Sequence, residues 1–198
     1  MKAPLVSCIV PAFNSGRYIA EALDSILAQS YTNIEIIVCD DGSVDDTAEV
    51  VARFENVRHV RQETAGPAAT RNLGVASAAG ELLAFLDADD LWHIEKLERQ
   101  IMRFASRPEL EACVTHAKMF WVPELESEAA EYRDNPRSEA IPGYATTTLL
   151  AKRSAFERIG NFRTDLWFSD ATEWFIRARE NGTVMELMPD VLTYHRMH

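Results

Sequence analysis

The chain is poor in glycine, with 8 residues in 198, and no Gly-x-Gly-x-x-Gly follows its first apolar run. That disfavours a Rossmann dehydrogenase, which seats a pyrophosphate on such a turn. A Gly-rich, basic triphosphate loop is also missing there, which argues against a sugar-phosphate nucleotidyltransferase. The residues present are Pro11-Ala12-Phe13-Asn14-Ser15-Gly16-Arg17. Cysteine is scarce as well. Cys8, Cys39 and Cys113 are odd in number, lack CxxC spacing and sit in apolar strand-like runs. They read as reduced, buried small residues of a cytosolic protein. No apolar run approaches the roughly 20 residues of a membrane span, so no transmembrane segment is expected. Met1-Lys2-Ala3-Pro4 leads straight into a strand-like run and does not read as a signal peptide, so a cytoplasmic location is expected. Basic residues are outnumbered, 20 against 31 acidic, for a formal net charge of -11. Such a balance excludes nonspecific nucleic-acid binding and a basic membrane-surface patch.

What is present is ordinary for a globular chain, with 47% hydrophobic and 26% charged residues. The length suits one domain with a substantial core. Apolar runs at 5–10, 34–39, 57–60 and 81–86 read as strands. Between them, helix spacing appears at 17–28, 45–54, 67–78 and 92–104. Ser43 can cap the second helix, and Pro67 suits the first position of the third. Strands alternating with helices predict a parallel α/β sheet covered on both faces. Ligands of such sheets bind beyond the carboxyl ends of the strands. Three clusters fall there: Pro11 to Asn14, Asp40-Asp41-Gly42-Ser43 and Asp87-Ala88-Asp89. After residue 120 the pattern weakens. Residues 122–141 are acidic, contain Pro123 and Pro136, are followed by Pro142, and read as a mobile loop or irregular insertion. A strand at 146–151, a short helix at 154–159, a helix at 171–181 and short strands at 183–187 and 191–195 follow.

Asp87, Asp89 and Asp90 carry the clearest chemistry. Carboxylates at a strand tip repel one another and resist desolvation, so compensation is expected. A divalent cation with oxygen ligands supplies it, and an acidic chain binding a phosphorylated ligand needs one. Asp90 reads as the cap of the helix beginning near Trp92. Trp92 and Trp174 read as core residues, and His59, His93 and His116 lack metal spacing.

In this order the pieces resemble the family 2 glycosyltransferases with the nucleotide-sugar-binding GT-A fold. The resemblance rests on residues 10–14, on Asp40-Asp41-Gly42-Ser43-Val44-Asp45-Asp46-Thr47 and on Gly66-Pro67-Ala68-Ala69-Thr70-Arg71-Asn72. It continues through Gly80-Glu81, residues 85–92 and Glu173-Trp174-Phe175-Ile176-Arg177-Ala178. It implies a single GT-A domain over 1–198, a three-layer α/β/α sandwich around a mostly parallel, mixed sheet. Residues 1–121 would form the nucleotide-sugar-binding half and 122–198 the acceptor-side half. The resemblance places Pro11, Ala12, Phe13, Asn14, Asp41, Arg71 and Asp87 at the nucleotide, with Asp41 accepting from the imide N–H of the base. It makes Asp89, supported by Asp87, the ligand of Mn2+ or Mg2+, and lets His198 complete that site. The implied reaction is inverting transfer of a sugar from a nucleoside diphosphate, UDP favoured, to an acceptor hydroxyl of a saccharide or other molecule.

One place departs from the family. Its base is usually the Asp of a Glu-Asp pair before the late helix, and here Asp170 takes the Glu place while Ala171 takes the Asp place. Asp170 is the nearest carboxylate for a general base, and Glu173, one turn on, is the alternative. Asp170-Ala171-Thr172-Glu173 also reads as a helix capping box. Ala171 keeps open a second reading, a non-catalytic nucleotide-sugar-binding module. The family normally continues beyond the place of His198.

Overall fold

The computed structural model describes residues 3–132, 140–166 and 168–198. The strands are β1 (Val6–Ala12), β2 (Ile34–Asp40), β3 (Val57–Arg61), β4 (Leu82–Phe85), β5 (Leu91–Trp92), β6 (Ala112–Trp121), β7 (Ile141–Pro142), β8 (Leu150–Lys152) and β9 (Met185–Met197). The α-helices are α1 (Ile19–Leu27), α2 (Thr47–Val51), α3 (Pro67–Ser77), α4 (Lys96–Ser106), α5 (Glu126–Tyr132), α6 (Arg153–Ile159) and α7 (Asp170–Glu180). Successive strand residues face opposite ways, and both sets are apolar. Val6, Cys8 and Val10 of β1, Ile36 and Val38 of β2 and Leu82 and Ala84 of β4 enter one core with α1, α2 and Leu97 of α4. Ile9, Ile37, Cys39, Leu83 and Phe85 enter the other, under α3, α6 and α7. The result is the expected three-layer α/β/α arrangement.

The sheet runs β3-β2-β1-β4-β8-β6-β9-β5, with β7 paired to β6. β1 is parallel to β2 and β4, and β2 to β3. β8 is antiparallel to β4 and to β6. β6 and β9 are parallel, and β5 is antiparallel to β9. Strands from after residue 122 thus lie within the same sheet as those before it. No described helix is long and apolar enough to cross a membrane.

Several elements differ from expectation. Leu91 and Trp92 do not begin a helix, because they pair with Tyr194 and Thr193 of β9. α4 therefore starts at Lys96, and Asp90 is not its cap. Ser43 does not cap α2, whose cap position is Asp46. The segment expected to be irregular carries a 3-10 turn at Pro123–Leu125, then α5, and ends in β7. Its residues 133–139, Pro136 included, lie outside the described residues. The strand expected at 146–151 is a 3-10 turn, Thr146–Thr148, followed by β8. The two short strands expected near the end are one, β9, continuous through register shifts against β6. β6 is a further difference, not expected from the sequence, since only its first four residues are buried and the rest, partly exposed, show no alternation.

One polar group sits in this frame without an ionic partner. Lys96 is fully buried, with Nζ donating to Gln100 Oε1 at 2.9 Å and lying 4.3 Å from the centre of the Trp92 ring. Burial pulls its amine down to about 7. Between that value and its ordinary 10.5, the unfolded lysine holds a proton that the folded one has released. Wild-type stability therefore gains from Lys96 as pH rises through this window and gains nothing below it. The melting temperature of Lys96→Met relative to wild type should be highest below pH ~7 and should fall towards pH ~9. A difference that does not change with pH would contradict a buried amine that loses its proton on folding.

Candidate active site

The carboxyl ends of β1, β2 and β4 open onto one cavity of about 350 Å³. Pro11, Ala12, Phe13, Asp41, Thr64, Gly66, Arg71, Asp87, Asp89 and His195 are among its lining residues. Its size suits a small ligand. Each wall has a local cause. The pairing of β1 with β4 stops at Ile9, before Pro11, which has no backbone donor, and Phe13 just beyond β1 is left 52% exposed. Asp40 accepts from the Ser43 amide at 2.7 Å and closes the turn after β2, with Gly42 at φ +82° where a side chain is disfavoured. That turn aims Asp41 into the cavity.

Asp41 is buried and already engaged. Its Oδ1 accepts from Gln62 Nε2 at 2.6 Å and from the Ala65 amide at 2.9 Å. Its Oδ2 accepts from the Gly66 amide at 2.9 Å. Asp41 therefore anchors the loop before α3, and Oδ2 keeps acceptor capacity towards the cavity. Asn14 does not line the cavity. It stitches the β1 loop to the β2 loop, its amide donating to Ser43 Oγ and its Oδ1 accepting from the Val44 amide, both at 2.9 Å.

Arg71 on α3 joins distant parts of the chain. One end of its guanidinium donates to Asp87 Oδ1 at 3.0 Å and the other to Asp170 Oδ2 at 2.9 Å. Burial opposes its charge, but attraction to Asp87 and Asp170 outweighs that and raises its pKa. Asp170 is the first residue of α7, and its side chain makes no capping bond. The Glu173 amide donates to the Ser169 carbonyl instead, so the capping box does not form. Glu173 is turned away from the cavity. Both its oxygens accept from Arg177 at 2.9 Å, and this pairing lowers its pKa.

Asp89 Oδ2 lies 2.9 Å from His198 Nε2. Among the described residues no cluster of three or more His, Cys, Asp or Glu side chains is arranged to hold a metal ion. Two donors plus ligand oxygens nevertheless fit a magnesium-like ion, whose neighbouring ligands stand roughly 3 Å apart at bond lengths of about 2.1 Å. Asp90 is fully buried behind them. Its carboxylate meets His195 Nδ1 at 2.9 Å and accepts from the Arg196 amide at 3.0 Å. Burial pushes the Asp90 carboxyl up, and the hydrogen bond to Asp90 raises His195. Sequence reasoning assigned no role to His195, Gln62 or Thr64. The histidines at 195 and 198 were the one available signal, since a single strand end brings both to the Asp turn.

The sequence model of the family described as "Glycosyl transferase family 2" matches residues 7–162. The chain belongs to this family. Among curated relatives, an uncharacterized glycosyltransferase of Rickettsia felis is 41% identical over 99 residues, 48% of this chain and 16% of that protein. An uncharacterized glycosyltransferase of Haemophilus influenzae is 40% identical over 106 residues, 51% of this chain and 42% of that protein. Among solved structures, S. aureus TarS 1-349 in complex with UDP-GlcNAc superposes with a TM-score of 0.79 at 23% identity, a likeness of fold. It covers 98% of this chain, which spans 58% of that one. Mannosyltransferase PcManGT from Pyrobaculum calidifontis, in complex with GDP-Man and Mn2+, gives a TM-score of 0.76 at 27% identity. It covers 98% of this chain, which spans 57% of that one. The chain is thus shorter than these relatives, and its mixed sheet is that of a GT-A glycosyltransferase.

The bonds of Asp41 give a stability test. Asp41→Ala would leave Gln62 and the Ala65 and Gly66 amides without their acceptor, at a cost of about 1–3 kcal/mol. Asp41→Asn keeps one acceptor oxygen and should cost less. Denaturant unfolding of both variants checks this, and an Asp41→Ala variant as stable as wild type would refute the anchoring role.

Proposed function

We propose that this chain transfers a sugar from a nucleoside diphosphate, UDP favoured, to an acceptor hydroxyl with inversion at the anomeric carbon. The observation that carries this is the Arg71 bridge: Arg71 and Asp87 line the cavity, and the same guanidinium holds Asp170 of the late helix beside it. Residues 1–121 would supply the donor half and 122–198 the acceptor side. The base would rest among Pro11, Ala12 and Phe13, with Asp41 Oδ2 accepting from its imide N–H. Such an acceptor is strengthened by its charge. Asp87 would meet the ribose, and Arg71 would offset the acidity of the site beside the diphosphate. TarS with UDP-GlcNAc and PcManGT with GDP-Man support a nucleotide-sugar donor.

Asp89 and His198 would hold Mn2+ or Mg2+, in keeping with the Mn2+ of PcManGT. That ion, when bound, supplies Lewis-acid stabilisation of the departing diphosphate. Asp170 would take the acceptor proton as the hydroxyl oxygen forms its bond to the anomeric carbon and the bond to the diphosphate breaks. Arg71 occupies Oδ2 of Asp170 and leaves Oδ1 for that proton. Glu173, paired with Arg177, is the weaker base. The three free, buried cysteines fit a reducing, cytoplasmic setting.

Ala171 favours the second reading, a module that binds the nucleotide sugar without transfer. Donor turnover separates the two, because a pure binder takes UDP with metal and releases no sugar. Asp170→Asn should lower turnover on the order of 10²-fold or more while donor binding survives. A fully active variant would move the base elsewhere. Calorimetry of UDP with wild type and Asp89→Ala tests the cation. Binding should need Mn2+ and should weaken sharply in the variant, and equal wild-type affinity in EDTA and in Mn2+ would remove the metal from the mechanism.

A further inference from the structure

Arg196 takes no part in the chemistry above, yet it is among the most constrained side chains near the site. Its side chain is 7% exposed. The guanidinium lies between two rings, 4.6 Å from the centre of Tyr18 and 4.7 Å from that of Phe120. Its Nε donates to the Asp89 carbonyl and one Nη to Glu21 Oε2, both at 2.8 Å. Its backbone amide donates to Asp90 Oδ1 at 3.0 Å. One residue of β9 therefore grips the turn between β4 and β5 at two successive positions. It does so from a slot built by the start of α1 and by β6.

The surroundings explain why the turn needs this. Asp87, Asp89 and Asp90 repel one another, and Asp90 is already buried. The Tyr18 ring also lies 4.7 Å from the His198 ring, so the slot that seats Arg196 touches the second donor. A lysine could place charge between the rings but lacks a planar fork reaching Asp89 and Glu21 in two directions.

We infer that Arg196 is a positioning residue for the cation subsite: held between Tyr18 and Phe120, it fixes the Asp89–Asp90 turn and thereby the spacing of the Asp89 and His198 donors. The inference rests on the metal-assisted reading proposed above. Groups that orient metal ligands typically change metal affinity 10–100-fold when lost. Contacts to the base lie at the ends of β1 and β2 and should not feel the change.

The test measures UDP binding by calorimetry across a Mn2+ titration, uridine binding without metal, and melting temperature. Wild type, Arg196→Met and Arg196→Lys are compared. Arg196→Met should raise the Mn2+ needed for half-maximal UDP binding by about 10–100-fold and leave uridine affinity unchanged. Arg196→Lys should shift it in the same direction by less, and it decides the matter if Arg196→Met does not fold. A purely structural Arg196 would lower the melting temperature of both variants and leave the Mn2+ requirement where it was, which overturns the proposal. If wild type itself binds UDP equally with Mn2+ and with EDTA, the metal-assisted reading fails and takes this inference with it. That result differs from a Mn2+-dependent wild type with unaffected variants, which fails the inference alone.

Discussion

The contact on which the site depends is the bridge from Arg71 to Asp87 and Asp170. Without it, the carboxylates of Asp87 and Asp170, from distant segments of the chain, would face each other uncompensated in an already acidic protein. A guanidinium suits the task because its planar fork offers separate donors to two oxygens and stays charged under any working condition. Breaking such a pair on one side leaves the other charge buried and uncompensated, which is the larger cost. The bridge therefore ties the late helix to the turn after β4, beside the cavity that Arg71 and Asp87 line. Asp41 fixes the loop leading into α3, and α3 delivers Arg71.

The same logic runs along the far wall. Asp89, Asp90, His195, Arg196 and His198 form a second cluster in which every acid has a nitrogen partner. The two clusters share the short turn between β4 and β5, so its geometry is set from both sides. An anionic ligand entering here meets acids whose charge is already partly spoken for.

The parallel strands β1, β2 and β4 were legible in the sequence for a physical reason. β1, β2 and β4 are buried on both faces, so each is a continuous apolar run, and the chemistry sits where those runs stop. β6 and β9 were harder. Their ends are only partly covered, and the register shifts between them break any simple alternation. The cap expected of Asp90 failed because Leu91 and Trp92 found a strand partner about a hundred residues on, which local spacing cannot reveal. The capping box at Asp170 failed for a related reason: a long-range partner, Arg71, outcompeted the local amide. Asp41 lies just beyond β2, where the apolar run stops, but its bonds to Gln62, Ala65 and Gly66 depend on a loop conformation no motif encodes. Glu173 shows the opposite case, since its i,i+4 pairing with Arg177 is local and withdraws it from the cavity.

The most direct test of the account is a crystal structure with an unhydrolysed UDP-sugar and Mn2+. The account predicts the base beside Asp41 and Phe13, the metal on Asp89 and His198, and the anomeric carbon open to a hydroxyl within hydrogen-bonding reach of Asp170. A nucleotide bound away from the ends of β1 and β2, or a sugar lying where Asp170 cannot reach the attacking oxygen, would contradict it.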